Sequence, residues 1–193
     1  MVNRSRINTS RFQMKRSCHL LVILILLVSI SCKSSKPSAT QAEIDNLTEI
    51  ITNKRYRIES AWAYPQITTA MQQIMSSGLM LPGNSAGAIS LIGNSNFLEI
   101  KGDSISSYLP YFGERQMQVG YGINDNAIQF EGLVENYKVN KFKNTGYEVS
   151  FEATSKSEKF NVRITIFPNL KTTIGLSGGL RRQISYTGDV TRP

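Results

Sequence analysis

The strictest constraint on the fold is the alternation of apolar and polar residues in the C-terminal half of the chain. Residues 147–152 read Tyr-Glu-Val-Ser-Phe-Glu, and residues 160–166 read Phe-Asn-Val-Arg-Ile-Thr-Ile. Successive side chains of a strand point to opposite faces, so this period of two predicts strands with one buried and one wetted face. Such strands are typical of antiparallel sheets. Turn residues recur roughly every 8–12 residues, which is typical of a sandwich or barrel.

The sequence therefore predicts a mainly β fold, with a single antiparallel β-sandwich or open barrel-like domain over residues 39–193. A chain of this length can bury a sizeable core. One helix is expected before the strands, from Thr40 to Asn53, because Thr40 and Glu43 have the spacing of a capping box. A short second helix is expected further along the chain.

Three local predictions concern the strands and that second helix. A strand is expected from Arg55 to Tyr64, and its alternation places Trp62 in the core. The short helix should begin near Thr69 and end at Gly78, since glycine favours helix C-termini. The last strand should end at Gly188.

The segment Leu109-Pro110-Tyr111-Phe112-Gly113 should end a hairpin strand in a stiff corner. Pro110 cannot donate to a sheet ladder, and Gly113 permits a sharp bend. Since neighbouring side chains of an extended segment point in opposite directions, one ring should be buried and the other exposed. We expect Phe112 to point inward and Tyr111 to be exposed, because its hydroxyl prefers water or a partner. Tyr111 and Phe112 are thus candidate contact residues.

The N-terminus predicts export and lipidation. The first 16 residues carry five bases and no acid, and residues 20–30 are almost wholly aliphatic. A basic stretch followed by a short apolar one is typical of a secretory signal peptide, here residues 1–31. Cys32 follows directly, as in a bacterial lipobox, so we expect it to carry lipid at the start of a flexible tether over residues 32–38. An uncleaved N-terminal anchor is the alternative.

These features predict a lipid-anchored protein of the cell envelope. Its partner is the membrane, which it contacts through the N-terminal lipid. The tether begins Lys33-Ser34-Ser35-Lys36, without the acidic residues that often follow the cysteine in surface-exported lipoproteins. By resemblance to those signals, we expect the domain to face the periplasm from the outer membrane.

The net charge gives little support to a nucleic-acid partner. The chain has 22 Lys and Arg against 14 Asp and Glu, but five of the bases precede Cys32, which leaves 17 bases against 14 acids in the mature protein. The remaining bases are dispersed in small groups, whereas nucleic-acid binding favours a clustered basic face. We expect a solvated sheet surface and no nucleic acid.

Residue types exclude several chemistries. His19 is the only histidine, and the two cysteines are Cys18 and Cys32. Removal of the signal and lipidation of Cys32 would leave no Cys/His metal site, no Ser-His or Cys-His pair and no disulfide. We therefore expect no metal and no cofactor. Asp125 is the best carboxylate for calcium, but its spacing fits no known loop, and an Asx turn is the preferred interpretation.

A carboxylate pair could still hydrolyse glycosides. Four acidic residues are available for such a pair: Asp103, Glu114, Glu131 and Glu135. Nothing in the sequence indicates which two of them converge. The expectation is a protein that is not an enzyme and has no catalytic residues.

Several motifs resemble a family of bacterial envelope lipoproteins known as domain of unknown function 4251 (DUF4251). They are Ile92-Gly93-Asn94, Gly102-Asp103, Ser107 to Gln116 with its Leu-Pro-Tyr-Phe-Gly corner, Ile128 to Gly132, and Ile184 to Gly188. The resemblance runs from about Ile50 to Val190 and implies an exported bacterial protein with a mostly β domain. It brings no catalytic residues. Residues 177–182 are richer in glycine than this family pattern would suggest, which leaves the register of the last hairpin open.

Two functional classes remain. The first is a non-catalytic binding or assembly module of the envelope, in which the Tyr111–Phe112 corner contacts an envelope protein partner. The second is a carrier of a small apolar ligand in a barrel mouth or between sheets, with Phe97, Tyr147 and Phe151 lining the cavity. An enclosed cavity would favour the carrier, and a filled core would favour the contact module.

Overall fold

The computed structural model describes residues 39–78, 82–116, 126–143, 145–156 and 158–191. The predicted signal peptide, the tether, Cys32 and Asp125 lie outside these ranges. Within the described ranges the chain is mainly β, as predicted.

The described elements are two helices and eleven strands. The helices are α1 (Gln41–Asn53) and α2 (Thr69–Ser76). The strands are β1 (Arg55–Pro65), β2 (Ile89–Ser90), β3 (Phe97–Lys101), β4 (Ser104–Pro110), β5 (Ala127–Ile128), β6 (Glu131–Leu133), β7 (Glu135–Phe142), β8 (Gly146–Ser155), β9 (Glu158–Ile166), β10 (Lys171–Gly178) and β11 (Ile184–Thr191).

All the described strands belong to one antiparallel sheet. Its order is β5-β4-β3-β1-β11-β10-β9-β8-β7, with β2 also paired to β1 and β6 also paired to β4. The sheet does not close, which agrees with the open barrel-like alternative, and the described strands form no second sheet that would make a sandwich. The last hairpin, whose register was open, pairs Lys171 with Asp189 and Leu176 with Ile184.

One extended segment contacts both ends of this sheet. Its first part, β6, pairs with β4, and its second part, β7, pairs with β8. Val134 lies between them, and its amide donates to the Asp103 carbonyl at 2.9 Å. Because a single residue separates the two pairings, the sheet has to curl and bring its ends together around an enclosed inner face.

The inner face carries the core, and α1 covers part of it. Outward and inward positions alternate along β8 and β9 as predicted. The helix contributes Leu47, Ile50 and Ile51, which are all buried. Thr40 forms the predicted capping box at the start of the helix. The pattern of the sequence thus correctly separates the two faces of the long C-terminal strands.

Trp62 is an exception, because it lies partly exposed on the outer face and not in the core. The pairing of β1 with β11 shifts between Ser60 and Trp62, which is a β-bulge. A bulge adds one residue to one strand, so every later side chain of that strand changes face. Tyr64 is consequently outward as well, with 37% of its surface exposed.

Gly188 lies inside β11 and not at its end, because the strand continues to Thr191. Its Cα faces the bulge: a Cβ at this position would lie 2.0 Å from the Glu59 carbonyl oxygen and 2.6 Å from the Ser60 Cα. The close approach of the two backbones at the bulge therefore requires glycine.

The second helix is confirmed, but only one of its three large apolar side chains is buried. Met71 is buried, whereas Ile74 and Met75 are 45% and 42% exposed. Met71 packs in a small separate cluster with Ala86 and Ile89. Gly78 follows the helix with φ +71°, in keeping with its predicted capping role.

We predict that Gly188→Ala destabilises the protein by about 1–3 kcal/mol or more, because the added methyl overpacks the bulge. The matched control is Gly175→Ala, also inside a strand, where the new Cβ meets only the Arg163 carbonyl at an ordinary 3.8 Å. That control should be neutral or stabilise by up to about 1 kcal/mol. Urea midpoints of both variants measure the difference. Equal midpoints would show that β1 can move away and that the bulge does not need glycine.

Candidate functional site

The predicted corner follows β4 and pairs with the connection before β11. The Tyr111 amide donates to the Asn126 carbonyl at 2.8 Å, the Gln116 amide to the Leu180 carbonyl at 2.8 Å, and the Arg182 amide to the Glu114 carbonyl at 3.1 Å. The corner is thus tied by backbone hydrogen bonds to a segment that is distant in sequence.

Tyr111 is buried, so the expectation that it is exposed is wrong. Its hydroxyl oxygen lies 2.9 Å from the Glu114 carbonyl oxygen and 3.0 Å from that of Arg182, and its proton is shared between them. These acceptors satisfy the buried hydroxyl. Burial raises the pKa of Tyr111, and the Arg181 cation partly opposes the rise.

Gly113 permits this turn of the tyrosine ring. A Cβ at Gly113 would lie 2.4 Å from the Tyr111 hydroxyl oxygen. The glycine that was predicted to allow a bend therefore leaves room for the ring that folds back beneath it.

Phe112, expected to point inward, is only half-buried and packs at the border of two clusters. It contacts both the main core and the small cluster of Met71, Ala86 and Ile89. The directions of the two rings are thus reversed relative to the prediction: the hydroxyl of Tyr111 finds carbonyl partners inside, and Phe112 remains at the boundary.

A buried ion pair lies beneath the corner. The Arg181 Nε donates to Glu158 Oε2 at 3.0 Å, with 5% and 7% of the two side chains exposed. The other carboxylate oxygen accepts from the Leu180 amide at 3.0 Å. The guanidinium carbon of Arg181 lies 5.1 Å from the centroid of the Tyr111 ring, within cation–π range. The pair joins the start of β9 to the corner.

Tyr186 adds another buried hydroxyl to the same region. It donates to the Pro110 carbonyl at 2.9 Å. Burial raises the pKa of Tyr186 far above its ordinary value. Proline ends the strand by lacking an amide, yet its carbonyl provides this acceptor. The corner is therefore a structural junction built from interior hydrogen bonds.

The four carboxylates considered for hydrolysis are distributed over separate positions. Asp103 bonds Lys54 at 2.8 Å, Glu135 bonds Lys159 at 2.8 Å, and Glu114 lies 4.0 Å from Arg182. Glu131 lies in exposed β6. Three of the four are thus neighbours of different bases.

Two properties of the described ranges concern metal ions and membranes. Within them, no group of three or more His, Cys, Asp or Glu side chains is arranged to hold a metal ion. No described helix is both long enough and apolar enough to cross a bilayer.

The three aromatic residues suggested for a ligand cavity have protein partners. Phe151 stacks on Tyr137 with ring centroids 6.1 Å apart, and the Arg57 guanidinium carbon lies 4.0 Å from the Phe97 centroid. The Tyr147 hydroxyl lies 2.9 Å from Lys141 Nζ and 3.1 Å from the Thr48 hydroxyl. These contacts with Lys141 and Thr48 lower the pKa of Tyr147.

The outer face carries a polar groove that the sequence reasoning missed. It crosses β7, β8, β9 and β10 and has a volume of about 480 Å³. Its polar lining includes Ser150, Glu152, Asn161, Arg163, Ser177 and Gln183, and Gly175 lies among them without a side chain. The outward positions of the alternating strands were visible in the sequence, but their register was not. Only the pairing of Gly175 with Arg163, and of Arg163 with Ser150, brings them together.

Ion pairs hold two of the charged side chains that line the groove, Arg163 and Glu152. Arg163 bonds Glu148 at 3.2 Å, and Lys159 bridges Glu152 at 2.7 Å and Glu135 at 2.8 Å. The hydrogen bond to Lys159 is the largest influence that lowers the pKa of Glu152. The hydrogen bond to Glu135, followed in size by the one to Glu152, raises the pKa of Lys159. The lowered pKa of Glu152 and the raised pKa of Lys159 keep this pair charged at neutral pH.

Fold and site together define a class: an open, curled antiparallel sheet with a helix-covered inner face and a polar groove outside. A profile of the family described as Domain of unknown function (DUF4251) matches residues 38–190. The chain belongs to the DUF4251 family.

Solved structures agree on the fold. The crystal structure of a DUF4251 family protein from Bacteroides eggerthii DSM 20697 superposes with a TM-score of 0.52 at 10% sequence identity. The match covers 78% of this chain and 88% of that one. No curated protein matches the chain. At this identity the likeness concerns the fold alone.

We predict that Glu158→Gln destabilises the protein by about 3–5 kcal/mol, because it removes the carboxylate that faces the buried Arg181 cation. The matched control is Glu148→Gln, whose pair with Arg163 is 22% and 68% exposed. That change should cost about 0–1 kcal/mol. Denaturant titration measures both. If the two variants unfold at the same midpoint, the buried pair does not hold the corner in place.

Proposed function

We propose that this protein is an exported, lipid-anchored module of the cell envelope that binds a partner without catalysing a reaction. The N-terminal sequence supports the anchor: a basic segment, an aliphatic segment and then Cys32. The lipid on Cys32 would hold the protein at the membrane, and residues 33–38 would give it reach.

The observation that carries the binding role is the groove on the outer face. Its walls stand on β8, β9 and β10, whose inner side chains are packed in the core. Ion pairs further restrict the long side chains at its rim. A surface that is already ordered loses little conformational entropy when a partner binds. The groove is thus the recognition surface in this proposal.

The packing of the inner face argues against the carrier alternative. Tyr147 and Phe151, which would have lined a cavity, contact protein side chains instead. Phe97 lies on the outer face of β3 against Arg57 and lines no interior space. The burial of Tyr111 likewise moves the proposed contact surface away from the corner, since its hydroxyl is used by interior carbonyls.

The distribution of carboxylates supports a non-catalytic role. Hydrolysis by two carboxylates needs one of them to have a raised pKa as the acid. In the groove, the pKa of Glu152 is lowered by its bond to Lys159. A lowered pKa suits an ion pair and not a general acid.

We predict lipid attachment at Cys32. Cells that express the wild-type chain and are fed a tagged fatty acid should yield a labelled protein, whereas Cys32→Ala should yield none. Cys18→Ala is the matched control, because Cys18 precedes the aliphatic segment and would be removed with the signal. Equal labelling of wild type and Cys32→Ala would overturn the anchor.

We predict that the domain faces the periplasm. Protease added to intact cells should leave the protein whole, and the same protease should digest it once the outer membrane is permeabilised. The digestion of permeabilised cells is the control for susceptibility. Cleavage in intact cells would place the domain on the outside.

A further inference from the structure

The chemistry of the groove indicates what kind of molecule it can bind. Ser150 and Ser177 offer hydroxyls, and Asn161 and Gln183 offer amides. Hydroxyls and amides both donate and accept hydrogen bonds. A ligand that also does both along its length would match this lining.

The charges of the groove cancel. Three bases and three acids form the groove and its rim, and they are Lys138, Lys159, Arg163, Glu135, Glu148 and Glu152. Five of these six described side chains form ion pairs, Lys138 being the exception, and the equal numbers of bases and acids leave little net field to attract a charged polymer. The balance therefore favours an uncharged ligand.

The shape of the groove favours an elongated ligand. It crosses four strands, and three spacings of about 4.8 Å give a length of about 14 Å. The central strands β8, β9 and β10 each pair on both sides, so their backbones are used by the sheet. A peptide could not add as a further strand there, and the ligand has to be recognised by side chains.

Two aromatic residues extend the same outer face. Tyr64 pairs with Ser185, and Ser185 pairs with Gly175 of the groove. Tyr64 is therefore two strand spacings, or about 10 Å, from Gly175 on the same face. The Thr187 hydroxyl lies 3.4 Å from the Tyr64 hydroxyl and restrains the ring, with Trp62 outward beside it. Exposed, restrained rings can stack on the apolar faces of sugars.

We propose that the groove binds a neutral, linear oligosaccharide, with Asn161, Ser177 and Gln183 as its hydrogen-bonding residues and Tyr64 as a stacking platform. Gly175 leaves the space that a sugar ring fills. This assignment rests on the proposed function, since it names the ligand of the same groove.

The test is isothermal titration calorimetry on the full-length protein in a detergent without a sugar headgroup. The probes are maltohexaose, cellohexaose and chitohexaose, with a heparin hexasaccharide as the charged comparison. At least one neutral probe should bind, and heparin should not. Gly175→Gln should weaken that binding by roughly tenfold or more, because its side chain fills the groove.

Lys171→Gln is the matched control: it places the same side chain on the same face of β10, outside the groove lining and opposite Asp189, and should change the affinity by less than about twofold. Tyr64→Ala, which leaves the groove intact, should weaken binding through the lost platform. Melting temperatures of the same samples identify any variant that fails to fold. If Gly175→Gln fails to fold, the affinity of Tyr64→Ala tests the proposal in its place.

Three outcomes overturn the assignment. Equal affinities of Gly175→Gln and the wild type would place any oligosaccharide elsewhere. Tighter binding of heparin than of the neutral probes would contradict the neutral ligand. If none of the probes binds, a photoreactive amino acid is placed at Ser177 and crosslinked in cells. This experiment distinguishes a wrong ligand assignment from a wrong binding function. A crosslinked envelope protein would retain the groove as a binding surface with another ligand, and the lack of any adduct would also remove the proposed binding role.

Discussion

A single sheet with one apolar face has to bury that face against itself, and this constraint determines the architecture. No second sheet is present in the described chain to cover it, and α1 covers only a part. The sheet therefore curls until β6 and β7, separated by Val134 alone, pair with strands from its two ends. Bulges increase local twist and bend a strand. The bulge in β1, with Gly188 opposite, lies near the middle of the strand order and adds such a bend to the curl.

The curl creates a junction that has to be filled by polar groups. The corner after β4 and the connection before β11 are irregular, so their carbonyls need donors other than a ladder. Tyr111 and Tyr186 supply hydroxyls to carbonyls at this junction. Glu158 and Arg181 form an ion pair within it. A buried pair of this kind adds little net stability compared with apolar packing. Its larger effect is that misplacing either partner is costly, which penalises alternative positions of the corner.

Sequence reasoning predicted what depends on local pattern and failed where the outcome depends on distant partners. The capping box at Thr40 and the alternation in β8 and β9 are local, and both are confirmed. The face of Trp62 depends on a bulge, whose inserted residue has no local signature in this stretch. The direction of Tyr111 depends on a carbonyl of Arg182, 71 residues away. The groove depends on the register between four strands, which period-two patterns leave undetermined.

Substitutions on the two faces of the sheet therefore differ in how much stability they cost. An inward substitution in β8 or β9 creates a cavity or overpacks the core, which typically costs a few kcal/mol. An outward substitution away from special features usually changes stability by about 0.5 kcal/mol or less. Outward positions of β8–β10 can thus vary in chemistry while the fold persists, and the groove is built from these positions.

The B. eggerthii protein keeps the fold at 10% identity, which agrees with an architecture set by alternation and not by particular side chains. Ligand preference on this face can accordingly differ between proteins that share the sheet, because the residues that recognise a ligand are not the residues that hold the core.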